Sequence, residues 1–195
     1  METAVRPERS ARDRILDSAS RLFYRSGYRA VGIDTIVAES GVAKMTLYRH
    51  FPSKDHLIAA YLERSDDEFW AWLDGEIAVI EEPAAKLGAA FEAVAKLATS
   101  ARCQGCTFQG VAAEYPDLDH LGHGVAVAHK RRALERFAEL AREAGLRAPD
   151  DLAAQLLLLM DGAWVANRMF GPDNHAGSVA RAAPALLAAH VSPPA

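Results

Sequence analysis

Ile33-Asp34-Thr35-Ile36-Val37-Ala38-Glu39-Ser40-Gly41-Val42-Ala43-Lys44-Met45-Thr46-Leu47-Tyr48-Arg49-His50-Phe51-Pro52-Ser53-Lys54-Asp55 is the stretch from which the rest of the chain can be read. Ile33 to Ser40 offers barely two helical turns, and Gly41 ends them because glycine takes the left-handed conformation after a helix at little cost. Ala43 to His50 offers two more turns before Phe51-Pro52. Two short helices joined through Gly41-Val42, behind a longer one, make a helix-turn-helix pattern. The longer helix, Ser10 to Gly27, repeats Ile15, Ala19, Leu22 and Phe23 at i, i+4, i+7 and i+8, one helical face. Ile36, Val37, Val42, Leu47 and Phe51 can close a small core against it. Lys44, Thr46, Tyr48, Arg49 and His50 are left facing outward, a set dense in donors for phosphates and base edges. A helix of this size fits the major groove of B-DNA.

Outward from this stretch the helical period continues, and no segment carries a convincing strand period. Ser53 is a good N-cap for a long helix to about Ile80. Pro83 sits where a first-turn proline belongs, opening a helix with Leu87, Phe91, Val94 and Leu97 to about Ser100. A glycine-broken stretch, Ala101 to Pro116, follows. Further helices are expected over about Leu118 to Ala144, Pro149 to Phe170 and Ser178 to His190, with Pro193-Pro194 fraying the end. The expected fold is all-α, about nine helices, divided into a helix-turn-helix domain over 8–54 and a second helical domain over 55–195.

The composition fits this reading. With 195 residues, 50% apolar and 25% charged, the chain has an ordinary globular balance that excludes wholesale disorder and fibrous repeats. No apolar run exceeds six residues, Leu57 to Leu62, so no bilayer span and no membrane partner are expected. Met1 to Arg14 is charged rather than an apolar leader, and two cysteines cannot make a disulfide framework; both features suit a cytoplasmic protein. The net charge of −4 is unevenly shared. Residues 1–60 hold 10 Lys/Arg against 7 Asp/Glu, net +3, and residues 61–195 hold 12 against 19, net −7. The basic end can face phosphate while the acidic remainder faces away.

The run Ile33 to Asp55, with its Gly-Val turn, its Thr-Leu-Tyr-x-His-Phe sequence and the Ser-Lys after it, resembles the DNA-binding signature of the TetR/AcrR family of transcriptional regulators. Ala19, Leu22, Phe23 and Gly27 resemble that family's first helix. The resemblance implies a homodimeric repressor that binds a near-palindromic operator in double-stranded DNA and is released by a small-molecule effector. It places Tyr48, His50 and Lys54 on backbone phosphates, leaving Lys44, Thr46 and Arg49 for base edges. Gly32 and Ala43 depart from the family habit of a hydroxyl residue opening each short helix. The last two helices are implied to pair with their twofold mates. Leu152, Leu156, Leu159 and Ala163, with Val179, Ala183, Leu186 and Leu187, are the residues expected at that seam. A helix apolar nearly all round, as Leu152 to Phe170 is, must be covered on every side, although one thick monomeric core would also cover it. An effector pocket is implied between the fourth and eighth helices. Phe69, Trp72, Phe91, Phe108 and Trp164 are available as its wall, Met160 as an adaptable filler, and Asn167 as the amide that orients a ligand.

Rival chemistries are weaker. Cys103-Gln104-Gly105-Cys106 followed by His120 and His123 approaches a zinc spacing, but these histidines stand three positions apart with two residues between, tighter than usual. The same cysteines could serve a thiol- or metal-responsive regulator. Asp117-Leu118-Asp119 lacks the later ligands of a calcium loop, with Leu121 and Ala128 in their places. No nucleophile elbow, phosphate-cradling glycine loop or zinc-protease motif is present, so neither an enzyme nor a cofactor or metal is expected.

Overall fold

The structure, a computed structural model, describes residues 9–191; the expected fraying at Pro193-Pro194 lies outside them. Nine α-helices make up the described residues, with no strand among them. They are α1 (Ala11–Ser26), α2 (Ile33–Ser40), α3 (Lys44–His50), α4 (Lys54–Ile77), α5 (Pro83–Ala98), α6 (Thr107–Glu114), α7 (Leu121–Glu143), α8 (Pro149–Phe170) and α9 (Val179–Ala189). Local chemistry sets the starts. Ser10 Oγ accepts the Asp13 N–H at 3.1 Å, and Ser53 Oγ accepts the His56 N–H at 3.2 Å. Pro83 and Pro149 occupy first-turn positions. Gly32 and Ala43 cap nothing with a side chain, so α2 and α3 depend on tertiary support. Arg14 supplies part of it, donating to the carbonyls of Ser40 at 2.7 Å and Gly41 at 3.2 Å. Gly41 itself sits at φ 63°, the left-handed turn that a side chain would strain.

Two boundaries differ from the sequence reading. The stretch from Ala101 to Pro116 contains a helix, α6, which starts without a side-chain cap and holds Gly110 inside it. The helix expected from Leu118 starts at Leu121, with Leu118 exposed in the turn before it.

The helix-turn-helix core forms as its spacing predicts. Ile15, Ala19, Leu22, Ile36, Val42, Leu47 and Phe51 are buried together, with Val37 packed at their edge. This core does not stop at residue 54. It continues through Leu57, Ile58, Tyr61 and Leu62 of α4, Phe108 and Val111 of α6, and Ala126 of α7. A second core joins α4, α5, α7, α8 and α9. Each large side chain fully buried in either core contributes about 1.5–3 kcal/mol. Because α4 and α7 serve both cores and α6 packs on the N-terminal helices, the head and the body are joined through those three helices.

Polar ties reinforce the junction. Arg64 of α4 pairs with Asp17 at 2.7 Å, donates to the Leu16 carbonyl at 3.2 Å and bonds to Ser20, all on α1. At the end of α6 the Glu114 carboxylate accepts the backbone N–H of Tyr28 at 3.0 Å and of Arg29 at 2.7 Å. Arg29 Nε returns a bond to the Glu114 carbonyl at 2.8 Å. Gly27, at φ 81°, admits this carboxylate, since a Cβ there would stand 2.7 Å from Glu114 Oε1.

Helices α8 and α9 place their apolar residues differently from the expected seam. Leu152, Leu156, Ala163, Val179, Ala183 and Leu187 lie in the interior of a single protomer, and only Leu159 and Leu186 keep partial exposure. The physical reason is that α7 packs along one face of α8 and α9 along another, claiming the stripes that periodicity alone selected. The row left outside is Ala154, Leu158, Gly162, Val165 and Met169, with Leu158 72% and Val165 44% exposed. Pro184, Ala185 and Ala188 of α9 are exposed too. No helix among the described residues is long and apolar enough to cross a membrane.

Candidate functional site

The outer face of α3 carries the residues expected there. Lys44, Tyr48, Arg49 and His50 are exposed and Thr46 is half-buried, while Leu47 on the opposite face is fully buried and orients the helix. Lys44 Nζ rests 2.7 Å from Asp34 Oδ1, an exposed pair worth little and easily traded for phosphate. Lys54 opens α4, where free backbone N–H groups favour anions; its Nζ reaches the Arg29 carbonyl at 3.4 Å, and partial burial pushes its pKa down. Sequence reasoning passed over Met45, which is 81% exposed beside Lys44. This unshielded thioether adds an apolar group to the donor-rich outer face of α3. Its exposed position was legible from the buried register of Leu47.

The second site is a cavity of about 460 Å³, within the size range of small-molecule sites. Phe69 and Trp72 of α4, Phe108 of α6 and Trp164 of α8 line it, four of the seven expected pocket residues. The other three are elsewhere. Phe91 is fully buried with its ring centroid 5.6 Å from that of Phe137, and Met160 is fully buried in the same body core. Asn167 is 2% exposed, and its Nδ2 donates to the Ala98 carbonyl at 2.8 Å. The expected ligand-orienting amide is therefore a tie between α8 and the end of α5. About one turn of α8 separates Met160 and Asn167 from the cavity, because Trp164 alone of that stripe borders it.

Sequence reasoning missed part of the wall. Ser20, Arg21 and Tyr24 of α1 border the cavity, as do Tyr61, Cys103, Cys106, Thr107 and His129. The α1 residues gave no signal, because their exposure to the cavity depends on how α1 docks on α4. His129 did give one. It falls in register with Ala126, Ala133 and Phe137 on the buried face of α7, where a histidine needs a polar partner.

That partner is Asp66. His129 Nδ1 lies 2.6 Å from Asp66 Oδ1, and the same carboxylate accepts from Trp70 Nε1 at 2.8 Å and Arg132 at 2.7 Å. A carboxylate only accepts, so Nδ1 carries the proton. Burial pushes the His129 pKa down against the upward pull of Asp66, leaving the ring neutral at pH 7. The ring stacks on Phe108 at 3.7 Å and 8°.

The thiols face the same space. Burial pushes the pKa of both Cys103 and Cys106 up, so neither is a ready nucleophile. His120 instead stacks on Tyr115, and His123 Nδ1 contacts the Tyr115 carbonyl at 2.9 Å. Among the described residues, no three His, Cys, Asp or Glu side chains group to hold a metal ion.

The family of bacterial regulatory proteins, tetR family, matches residues 15–61, spanning α1 to the first turns of α4. Over its length the chain is similar to a TetR-type transcriptional regulator from Streptomyces avermitilis, at 32% identity and TM-score 0.85, covering 93% of this chain and 98% of that one. It is also similar to a TetR-family transcriptional regulator from Streptomyces coelicolor, at 33% identity and TM-score 0.86, covering 92% and 95%. The chain belongs to the TetR family. The chain spans less than half the length of the curated relatives it matches, between 22% and 46%. One is the HTH-type transcriptional repressor ComR of Escherichia coli, 34% identical over 96 residues, 49% of this chain and 46% of that protein. The TetR-family match at the head thus coincides with the basic helix-turn-helix core, and the two Streptomyces structures extend it through the body that holds the cavity.

Proposed function

We propose that this TetR-family regulator acts in the cytoplasm as a homodimeric repressor, holding a near-palindromic operator until a small molecule occupies the cavity. The observation that carries this reading is the cavity wall itself, which takes side chains from α1 of the head and from α4, α6, α7 and α8 of the body. An occupant presses on both parts at once. α6 ends in the Glu114 carboxylate that grips the Tyr28 and Arg29 amides, and Arg21 at the rim pairs with Glu39 of α2 at 2.9 Å. A shift of α6 or of Arg21 is passed through these contacts to the loop before α2 and to α2 itself, and so re-aims the recognition helix. The exposed α8 row around Leu158 and Val165, next to the exposed face of α9, is the surface that supports pairing with a second copy.

Selection of the full-length protein against random duplexes tests the reading. The enriched sequence should be a near-palindrome with half-sites about 34–36 Å apart, or a multiple of one helical turn. Enrichment of single, unpaired half-sites would remove the dimeric operator from the proposal.

The head residues should then divide by role. Tyr48→Ala and Lys54→Ala should weaken binding to all duplexes alike, and Lys54→Ala should lower the salt slope by about one counterion per half-site. Lys44→Ala or Arg49→Ala should relax preference at particular base pairs, by about 1–3 kcal/mol where a bidentate contact is lost. Specificity profiles by competition binding decide this, and an unchanged profile for both would take base reading away from them.

A further inference from the structure

The cavity is unevenly polar. Its hydroxyls are already engaged: Thr107 Oγ1 bonds to Tyr28 and to Tyr61 at 2.7 Å, Tyr24 Oη accepts the Gln104 N–H at 2.8 Å, and Ser65 Oγ donates to the Tyr61 carbonyl at 2.9 Å. His129 differs. Its side chain is 3% exposed, its Nδ1 is committed to Asp66, and Nε2 on the opposite edge of the ring makes no hydrogen bond to the described residues. His129 lines the cavity, and with Nδ1 committed to Asp66 its Nε2 is the ring nitrogen left for an occupant. With the proton fixed on Nδ1, this nitrogen is a hydrogen-bond acceptor set among the aromatic side chains of the wall. The charged groups of the lining are Arg21, which pairs with Glu39, and Glu68, which pairs with Arg64. Leaving it unmatched when a ligand expels water carries the cost of an unpaired polar group.

We propose that the cavity binds a flat aromatic molecule bearing a hydroxyl group, a phenol by class, whose O–H donates to His129 Nε2 while its rings pack among Phe69, Trp72, Phe108 and Trp164. This rests on the effector reading of the cavity above and names the chemistry of its occupant. Aromatic rings match such walls through edge and offset contacts, and the neutral imidazole, stacked on Phe108, cannot rotate away without losing both Asp66 and that stack. A carboxylate in place of the hydroxyl would meet a lone pair rather than a proton. Pocket thiols held protonated by burial favour reversible binding over covalent capture.

The test uses three matched probes on the full-length protein: a hydroxyphenanthrene, its methyl ether and phenanthrene itself. Binding is read by quenching of the cavity tryptophans and by calorimetry. The hydroxy compound should bind about tenfold more tightly than both others, the ratio expected for one added neutral hydrogen bond. His129→Phe, which keeps an aromatic ring on Phe108, should bring the three affinities together. Equal affinities in the parent protein would overturn the hydroxyl recognition while leaving the cavity as a ligand site, and this comparison needs no variant to fold. Retention of the preference in a folded His129→Phe protein would also overturn it. Failure of all three probes to bind would overturn the proposal, while the effector reading would fall only if no small molecule released the operator.

Discussion

Leu158→Asp should yield a folded monomer with a melting temperature close to the parent's and a heavily weakened grip on the operator. Leu158 is 72% exposed on the outer row of α8, so a carboxylate there costs the isolated protomer little. In a twofold pair the same carboxylate would be buried against its mate without a cation, and a charge buried without a partner is strongly destabilising. Val165→Asp, about two turns along the same row, should behave alike. Losing the second head converts a bivalent contact into a univalent one, and the expected loss in operator affinity is about 10²–10⁴-fold. Sedimentation and fluorescence anisotropy on a two-half-site duplex measure both effects. A dimer that survives both substitutions would move the pairing surface off α8. The contrast is Leu156→Asp. Leu156 shares the body core with Met160 and is fully buried in the protomer, so this variant should fail to fold at all rather than dissociate.

The second large effect is expected at the latch. Glu114→Ala leaves the Tyr28 and Arg29 amides without their acceptor and should cost about 2 kcal/mol, as charge-assisted hydrogen bonds do. For a chain of this length that lowers the melting temperature by roughly 4–8 °C. The more telling consequence is functional. A cavity occupant that shifts α6 would no longer drag the loop before α2, so operator release by the effector should be lost while effector binding persists. Hydrogen exchange at Tyr28 and Arg29 is the direct probe, and unchanged protection of those two amides in the variant would sink the latch. Glu114→Gln, retaining one acceptor oxygen without the charge, should fall between.

How much of this was legible beforehand depends on whether a residue answers to its own helix or to a neighbour. Ile36, Leu47 and Phe51 declare themselves because a short amphipathic helix has one apolar face and one place to put it. In α8 the apolar residues run nearly all round, so spacing could not tell the stripe that faces α7 from the one left to solvent; Leu152 and Leu158 look equivalent in sequence, yet one ends buried and the other exposed. The cavity was half legible for a related reason. Bulky aromatics such as Trp72 and Trp164 announce a wall, but Phe91 and Met160 are equally bulky and were taken into the body core by Phe137 and its neighbours. Asn167 shows a different limit. An amide on an apolar stripe needs a partner, and sequence cannot say that the partner is the Ala98 carbonyl at the end of α5. α6 was obscured by Gly105 and Gly110, and it is held by what packs on it rather than by its caps.

The shared wall formed by α1 bears on how such regulators can be recombined. Ser20, Arg21 and Tyr24 face the cavity from the same helix whose Arg14 fastens the turn before the recognition helix. A chimera joined at residue 54, grafting a foreign head onto this body to redirect it to another promoter, would import a foreign α1 and with it a different lining for the ligand. Its effector response would change along with its address. Transplants that keep residues 20, 21 and 24 while exchanging only the outer face of α3 should retain the original chemical input and take on a new set of genes.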